Sequence, residues 1–353
     1  MDQGKNEMKT PKKDVLGLSL AELTAEIKSL GMPGFIAKQV YEWVFKKYRS
    51  EFADMPNISK MNRDKLAAHF VINRFLSTQA ISSGDGYAKK YIFELSDHAK
   101  IESVVLREKT YNTLCISSQC GCAVDCKFCL TGFAGLKRQL APSEIVNQIL
   151  YAFQDNEPIS HLVFMGMGEP LLNFEAVFKA IEIINSEEGF NIGKRKITVS
   201  TSGILRGLQK LLDHEICINL ALSIGNAIPS KRIGLMPIEK TNPLTDVINM
   251  VAEYQKTHNR KLTLEYTLIE GRNDAPEDIK ELINLAKYLK AKINLINLNP
   301  HPKIPLKPIS NEKMDAIKST ILAERVPVTI RFRKGQDISA ACGQLGESLL
   351  TPC

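Results

Sequence analysis

The sequence has no unbroken apolar run of about 18 residues or more, which excludes a helix long enough to cross a membrane. Residues 1–14 are polar and lysine-rich with no apolar core stretch, so no secretory signal is expected there. No internal repeat or low-complexity segment occurs. Tryptophan appears once, at Trp43, where core packing is its expected role. None of the six histidines pairs with another or falls in a cysteine motif, so none is assigned a ligand or acid–base role. Cysteine is scarce over most of the chain: of eight, only Cys217, Cys342 and Cys353 lie outside the stretch 115–129. Clustered cysteines without a secretory signal point to metal or redox chemistry in a reducing cytoplasm, not to a disulfide framework.

A chain of 353 residues with 44% hydrophobic content can bury a substantial core, as one large α/β domain plus an accessory piece. The net charge is +7, with basic clusters at 9–13, 46–49, 137–138, 194–196 and 331–334. Each cluster alone reads as a solvated face. Their recurrence near the loops that bear the motifs suits a polyanionic substrate such as RNA.

The first part of the chain reads as helical. Ser19 and Glu22 form a capping box before an apolar-periodic helix carrying Leu20, Leu23, Ile27 and Leu30, which Gly31 closes. A second helix is expected to carry Val40, Trp43, Val44 and Phe45, and a third to begin near Met61. Gly84-Asp85-Gly86 is a turn signal, which places an N-terminal helical accessory domain at 1–85 and the remainder, 86–353, in a second domain. β-prone runs at 91–95, 101–106 and 113–116 predict a short strand extension leading into the cysteines. A helix follows Pro142, with Ile145, Ile149, Ala152 and Phe153 on one face. Strands are then expected at 162–165, 196–200, 218–223, 262–269, 293–298 and 327–332. Helices at 174–185, 204–212, 245–257, 276–289 and 311–323 alternate with them. Such alternation means parallel βα units, too few for a closed eight-stranded barrel. The expected fold is α/β, a partial (βα)6 barrel with its chemistry at the C-terminal ends of the strands.

Cys122, Cys126 and Cys129 form Cys-x-x-x-Cys-x-x-Cys. Three thiols on so short a loop can hold three irons of a 4Fe–4S cluster and leave the fourth open to a small ligand. A four-thiolate zinc site that recruits Cys120 or Cys115 is the competing arrangement. Phe128 could shield a cluster or pack in the core. Gly166 and Gly168, after the strand at 162–165, would let backbone approach a ligand closely, and Glu169 offers a carboxylate suited to an ammonium group. Ser200-Thr-Ser-Gly203, Ser223-Ile224-Gly225 and Asn299 stand at other strand ends and would outline the same pocket. Cys342 lies in a Gly/Ala-rich loop after the last strand and returns to the same mouth. Cys217, in an apolar strand, reads as core, and the terminal Cys353 as incidental.

In combination these motifs resemble the radical S-adenosylmethionine (SAM) enzymes, and specifically the RlmN-type RNA adenine-C2 methyltransferases. The resemblance covers roughly residues 15–348. The Cfr-type C8 methyltransferases share the cysteines but usually differ at Pro170 and in the 200–203 segment, where this chain keeps the RlmN-like residues.

The resemblance implies a 4Fe–4S cluster, one per chain, on Cys122, Cys126 and Cys129, with SAM bound by its open iron and two SAM consumed per methylation. Gly168 and Glu169 would contact the methionine ammonium, and Ser200, Ser223, Ile224, Gly225 and Asn299 the rest of the cofactor. The thiol at Cys342 would be methylated first and its methyl carbon added to carbon 2 of an adenine in 23S rRNA or tRNA. Glu102 would remove the ring proton, and Cys115 would form a disulfide with Cys342 to release the product. The resemblance also implies a flavodoxin or ferredoxin as electron donor, and a cytoplasmic monomer. Many members carry Ser-Leu-His where this chain has Ser223-Ile224-Gly225, which removes one polar contact to the cofactor. Two alternatives remain: a Cfr-like C8 methyltransferase, and a non-enzymatic RNA-binding protein with a zinc knuckle.

Overall fold

The computed structural model describes residues 12–260, 262–331 and 334–350. Residues 9–11 of the first basic cluster, Phe332 at the end of the last expected strand, and Cys353 lie outside the described residues.

The helical part begins as its capping signal requires. Ser19 Oγ accepts from Glu22 N at 3.3 Å and Glu22 Oε2 accepts from Ser19 N at 2.8 Å, opening the helix Leu20–Ser29, which buries Leu23 and Ile27. The helix Phe35–Tyr41 runs on into a wider π turn, Glu42–Lys46, and Lys60–His69 follows. Trp43 is only half-buried: its indole N–H donates to Asn57 and Lys47 Nζ sits 3.8 Å over its ring. The indole packs against the core as expected but keeps its polar edge outward, so it covers the core from its rim. Phe45 meets Phe190 edge to face and Tyr48 stacks on Phe153, fastening this unit to the α/β part.

Ten strands form one sheet, ordered as they occur in the sequence. They are β1 (Ser77–Ser82), β2 (Ala88–Glu94), β3 (Lys100–Arg107), β4 (Asn112–Cys115), β5 (Ile159–Phe164), β6 (Ile197–Thr201), β7 (Asn219–Ser223), β8 (Leu262–Leu268), β9 (Lys292–Asn297) and β10 (Val328–Arg331). β1 to β4 pair antiparallel, and β4 to β10 pair parallel. The parallel strands are joined by the helices Pro142–Gln154, Phe174–Asn185, Leu205–Leu212, Leu244–His258, Pro276–Tyr288 and Asn311–Ala323. The partial (βα)6 barrel is therefore present as expected. Each of these helices turns an apolar stripe to the sheet, as Phe174, Val177, Phe178, Ile181 and Ile184 do.

The extension is longer than the sequence suggests. β1 is largely exposed and carries no apolar alternation, so its only signal was the turn that follows. It forms a hairpin with β2 that spans the 85/86 position. The short helix Pro229–Leu235 was also missed. Cys217 lies before β7 and is half-buried, not core, with Arg260 Nε donating to its sulfur at 2.8 Å. The sheet stays open between β10 and the extension. Lys334 crosses that gap, donating to Arg107 O at 2.8 Å and pairing with Glu108 at 2.6 Å.

Candidate active site

β4 ends at Cys115, and the loop beyond it is strapped to the end of β5. Ile116 N donates to Val163 O at 3.0 Å, and Ser118 N to Met167 O at 2.9 Å. A Cβ at Gly166 would stand 2.6 Å from Ile116 O, and one at Gly168 only 2.4 Å from Gln119 Cβ, where the backbone also has φ +99°. The glycines expected to admit a ligand thus admit the cysteine loop itself. Polar side chains complete the strapping. Ser117 Oγ donates to Glu102 O (2.6 Å) and accepts from Met167 N (2.8 Å), while Gln119 Oε1 accepts from Glu169 N (2.7 Å). Asn173 Nδ2 donates to both Ser118 O and Leu140 O at 2.8 Å.

A cavity of about 170 Å³ opens above the strand ends, and Cys122, Cys126 and Cys129 all line it, with Phe128 as a further wall. Burial pushes the Cys122 thiol up to about 12, with Cys129 and Glu169 adding to it, and pushes Cys126 well above the ordinary thiol range, with Cys129, Cys122 and Glu169 adding to it. Cys129 is raised by burial as well. Among the described residues, no three His, Cys, Asp or Glu side chains converge on a single-ion position. The three thiols instead share one wall. Cys120 is not part of it: fully buried, it donates its S–H to Lys100 O at 3.5 Å. Three neighbouring thiols that resist ionisation on their own fit a multinuclear cation, whose charge draws their protons off. The donor set therefore suits a 4Fe–4S cluster.

Gly168, Glu169, Ser200, Ser223 and Gly225 line the same cavity. The Glu169 carboxylate is buried and held on three sides, by Ser202 N and Ser202 Oγ, each at 2.8 Å, and by Leu171 N at 3.1 Å. Burial pushes its pKa up, and the Ser202 bonds oppose the rise. Ser202 thus orients the carboxylate, while Ser200 only borders the cavity. Behind both loops stands Arg232, without exposed surface, donating to Ser202 O (2.7 Å), Ile224 O (3.0 Å) and Glu239. Ile224 is fully buried and contributes through its backbone. Gly225 has φ +67°, and a Cβ there would meet Met236 Sδ at 2.6 Å. The methionine occupies the space that an imidazole at this position would need.

A second, larger cavity of about 600 Å³ follows the inner face of the barrel, and Cys115 and Cys342 both line it. Cys342 and Arg331 border both cavities. Burial, with Cys342 nearby, pushes Cys115 up to about 12, and the Arg331 guanidinium pulls it down. Asn299 lines the second cavity, not the first: its Nδ2 donates to Cys342 O at 2.9 Å, and its buried Oδ1 has no hydrogen-bond partner among the described residues. Glu102 is fully buried and lines neither cavity. Its Oε1 accepts from Ser348 N (3.0 Å) and Ser348 Oγ (2.6 Å); its Oε2 accepts no hydrogen bond, with Lys90 Nζ 4.0 Å away.

Sequence reasoning named the motif holding Ser202 and the basic cluster holding Arg331, without singling out either residue. It missed Arg232 and Glu265, and no periodicity in 229–235 could have found the former.

Family models match two parts of the chain: the Radical SAM superfamily at residues 116–286, and the Ribosomal RNA large subunit methyltransferase N-terminal domain at residues 13–72. The probable dual-specificity RNA methyltransferase RlmN of Aquifex aeolicus is 39% identical over 337 residues, 94% of this chain and 96% of the relative. The protein of the same description from Thermotoga sp. strain RQ2 is 42% identical, over 94% of this chain and 97% of the relative. A crystal structure of a radical SAM methyltransferase from Sphaerobacter thermophilus superposes with a TM-score of 0.90 at 34% identity, covering 94% of this chain and 99% of that one. With three thiols at the strand ends and an RlmN-type N-terminal unit on one chain, the protein belongs to the RlmN family of radical SAM RNA methyltransferases.

Proposed function

We propose that the chain methylates carbon 2 of an adenine in 23S ribosomal RNA and in transfer RNA, with the Cys342 sulfur as carrier of the methyl group. One observation supports this above the rest: Cys342 borders both the cavity of Cys122, Cys126 and Cys129 and the cavity of Cys115. A sulfur at that junction can take up a methyl group on one side and meet a second thiol on the other.

A 4Fe–4S cluster and SAM, when bound, supply the radical chemistry that a non-nucleophilic ring carbon demands. Cys122, Cys126 and Cys129 would hold the cluster. Glu169, fixed by Ser202, would take the ammonium of SAM beside Gly168, with Ser200, Ser223 and the 224–225 backbone along the rest of it. Asn299 would act from the other cavity, setting the Cys342 loop through its backbone carbonyl. Glu102 would accept the ring proton, which requires Ser348 to release its carboxylate first. Glu102 Oε2 accepts no hydrogen bond and faces only the Lys90 ammonium at 4.0 Å, which supports a proton-accepting role for it. Cys115 would then attack Cys342 Sγ, expelling the methylated RNA and leaving a disulfide, with Arg331 favouring the thiolate. The same reading takes 1–85 as accessory and 86–353 as catalytic, and includes a flavodoxin or ferredoxin donor and a cytoplasmic monomer. No described helix is long and apolar enough to cross a membrane.

Mass spectrometry of treated RNA is expected to place the new methyl at carbon 2; a methyl at carbon 8 would overturn the assignment. Cys115→Ala is expected to trap a covalent protein–RNA adduct and Cys342→Ala to give none. Normal turnover by Cys115→Ala would remove the release step described here.

A further inference from the structure

We propose that the second cavity is a reductant channel, through which a small anionic thiol enters at the N-terminal end of the barrel and reduces the Cys115–Cys342 disulfide. This rests on the functional reading above, in which the pair is oxidised once per methylation.

Barrel interiors of this kind are usually filled by bulky branched side chains. Here Thr198, Ala221 and Thr263 occupy inward positions on β6, β7 and β8, and the lumen they leave is about 600 Å³, the size of a small-molecule site. Its far mouth lies at the starts of β9 and β10, where the lining residues Lys292 and Thr329 are exposed. Its inner end is the thiol pair. Of the cysteines described, the cluster triad does not reach it.

The charges along the way select the visitor. Lys292 stands at the mouth and Arg331 at the inner end. Glu108 is already paired with Lys334 at 2.6 Å. Glu265, between the ends, is held by Asn294 Nδ2 at 2.7 Å, and its pKa is raised by burial, which weakens its opposition to an anion. The other side of Cys342 faces the cavity assigned to cluster and SAM, so a reductant arriving there would have to displace them.

The chemistry balances as thiol–disulfide exchange. The incoming thiolate attacks Cys342 Sγ, the S–S bond breaks, and Cys115 leaves as a thiolate beside Arg331. A second thiol attacks the mixed disulfide, frees Cys342 and departs as the oxidised dimer. Two thiols are oxidised, and the protein gains two electrons and two protons.

The test uses cluster-loaded protein after a single turnover on RNA, so that the disulfide is the one the reaction makes. Its reduction is followed by rapid alkylation and intact-mass measurement, with 2-mercaptoethanesulfonate as anionic and 2-mercaptoethylamine as cationic probe. Lys292→Glu is expected to slow the anionic thiol about fivefold and to speed the cationic one, as a reversed field at the mouth requires. Thr329→Trp, at the rim of an edge strand, is expected to slow both about tenfold by occlusion. SAM cleavage rates should stay at the level of the unmodified protein. Equal reduction rates for both thiols in all three proteins would overturn the channel. If no Cys115–Cys342 disulfide appears after turnover, the functional reading itself falls, and the channel with it.

Discussion

Arg232 is the most instructive residue to remove. It has no exposed surface, and its guanidinium joins Ser202 O, Ile224 O and Glu239. Glu239 in turn accepts Leu244 N on both carboxylate oxygens at 3.1 Å. Arg232→Met strands that carboxylate without its cation, and breaking one side of a buried pair costs about 3–5 kcal/mol. The two carbonyl bonds, at about 1.5–3 kcal/mol each for a charged donor, place the loss in the upper half of that range. For 353 residues at about 2.1 cal/mol/K each, the unfolding entropy is about 0.74 kcal/mol/K, so 4 kcal/mol lowers Tm by about 5 °C. Arg232→Met/Glu239→Leu removes both charges together and should recover more than half of the loss, because an apolar pair avoids the desolvation cost. Thermal melts of the native chain, Arg232→Met, Glu239→Leu and the double variant check the stability, and anaerobic SAM titrations of the native chain, Arg232→Met and the double variant check the site. Affinity should fall in both variants, since Ser202, which holds Glu169, loses its anchor either way. A Tm change below about 1 °C for Arg232→Met would refute the reasoning. So would a double variant as destabilised as the sum of the single ones.

Gly168→Ala adds a Cβ 2.4 Å from Gln119 Cβ at φ +99°, so the cysteine loop must shift; iron bound per chain, measured colorimetrically, should fall. Cys122→Ala, Cys126→Ala and Cys129→Ala should each lose iron and sulfide together, whereas Cys120→Ala, whose thiol faces Lys100 O, should retain them. The visible absorption of anaerobic preparations distinguishes these outcomes, and stoichiometric zinc in place of iron would sink the cluster assignment. Arg138 holds the Asp97 carboxyl down at about 2, below its ordinary 3.8. A depressed acid stabilises the fold above its unfolded pKa and loses that contribution as pH falls through the folded value. The urea-midpoint gap between the native chain and Arg138→Gln should therefore be constant near neutrality and shrink as pH falls from about 4 towards 2. A gap that widens over that range would contradict the assignment.

Much of this molecule was legible because its βα units are locally coded. Apolar stripes, caps and turn glycines gave every barrel helix and strand in order, whereas the cysteine spacing marked the triad but left Cys115 and Cys120 as possible fourth ligands. Three kinds of information were not local. β1 is an exposed strand whose pairing partner, not its own sequence, makes it a strand. Arg232 carries no signal in its own stretch and is buried only because two carbonyls and Glu239 meet there. Gly166 and Gly168 were expected to let backbone approach a ligand, yet the body packed closest against them is the chain's own loop. The role proposed for Glu102 was invisible to pattern, and for Asn299 only its strand-end position was visible, because both side chains bond a C-terminal segment more than 40 positions away in sequence, 246 in the case of Glu102 and Ser348.

The strand order has a consequence for biogenesis. Because each strand pairs with the one before it, the sheet can lengthen strand by strand as the chain leaves the ribosome, with little need for distant partners. The exception is the segment that carries Cys342 and Ser348. It seals the open edge through Lys334 and reaches Cys115 and Glu102 only when almost the whole chain exists. A newborn barrel thus presents Cys122, Cys126 and Cys129 with the lumen unsealed and Cys342 not yet in place. The cavity that these three cysteines line has its widest access at that stage, and Cys342 and Gly343 border it only once synthesis is nearly finished.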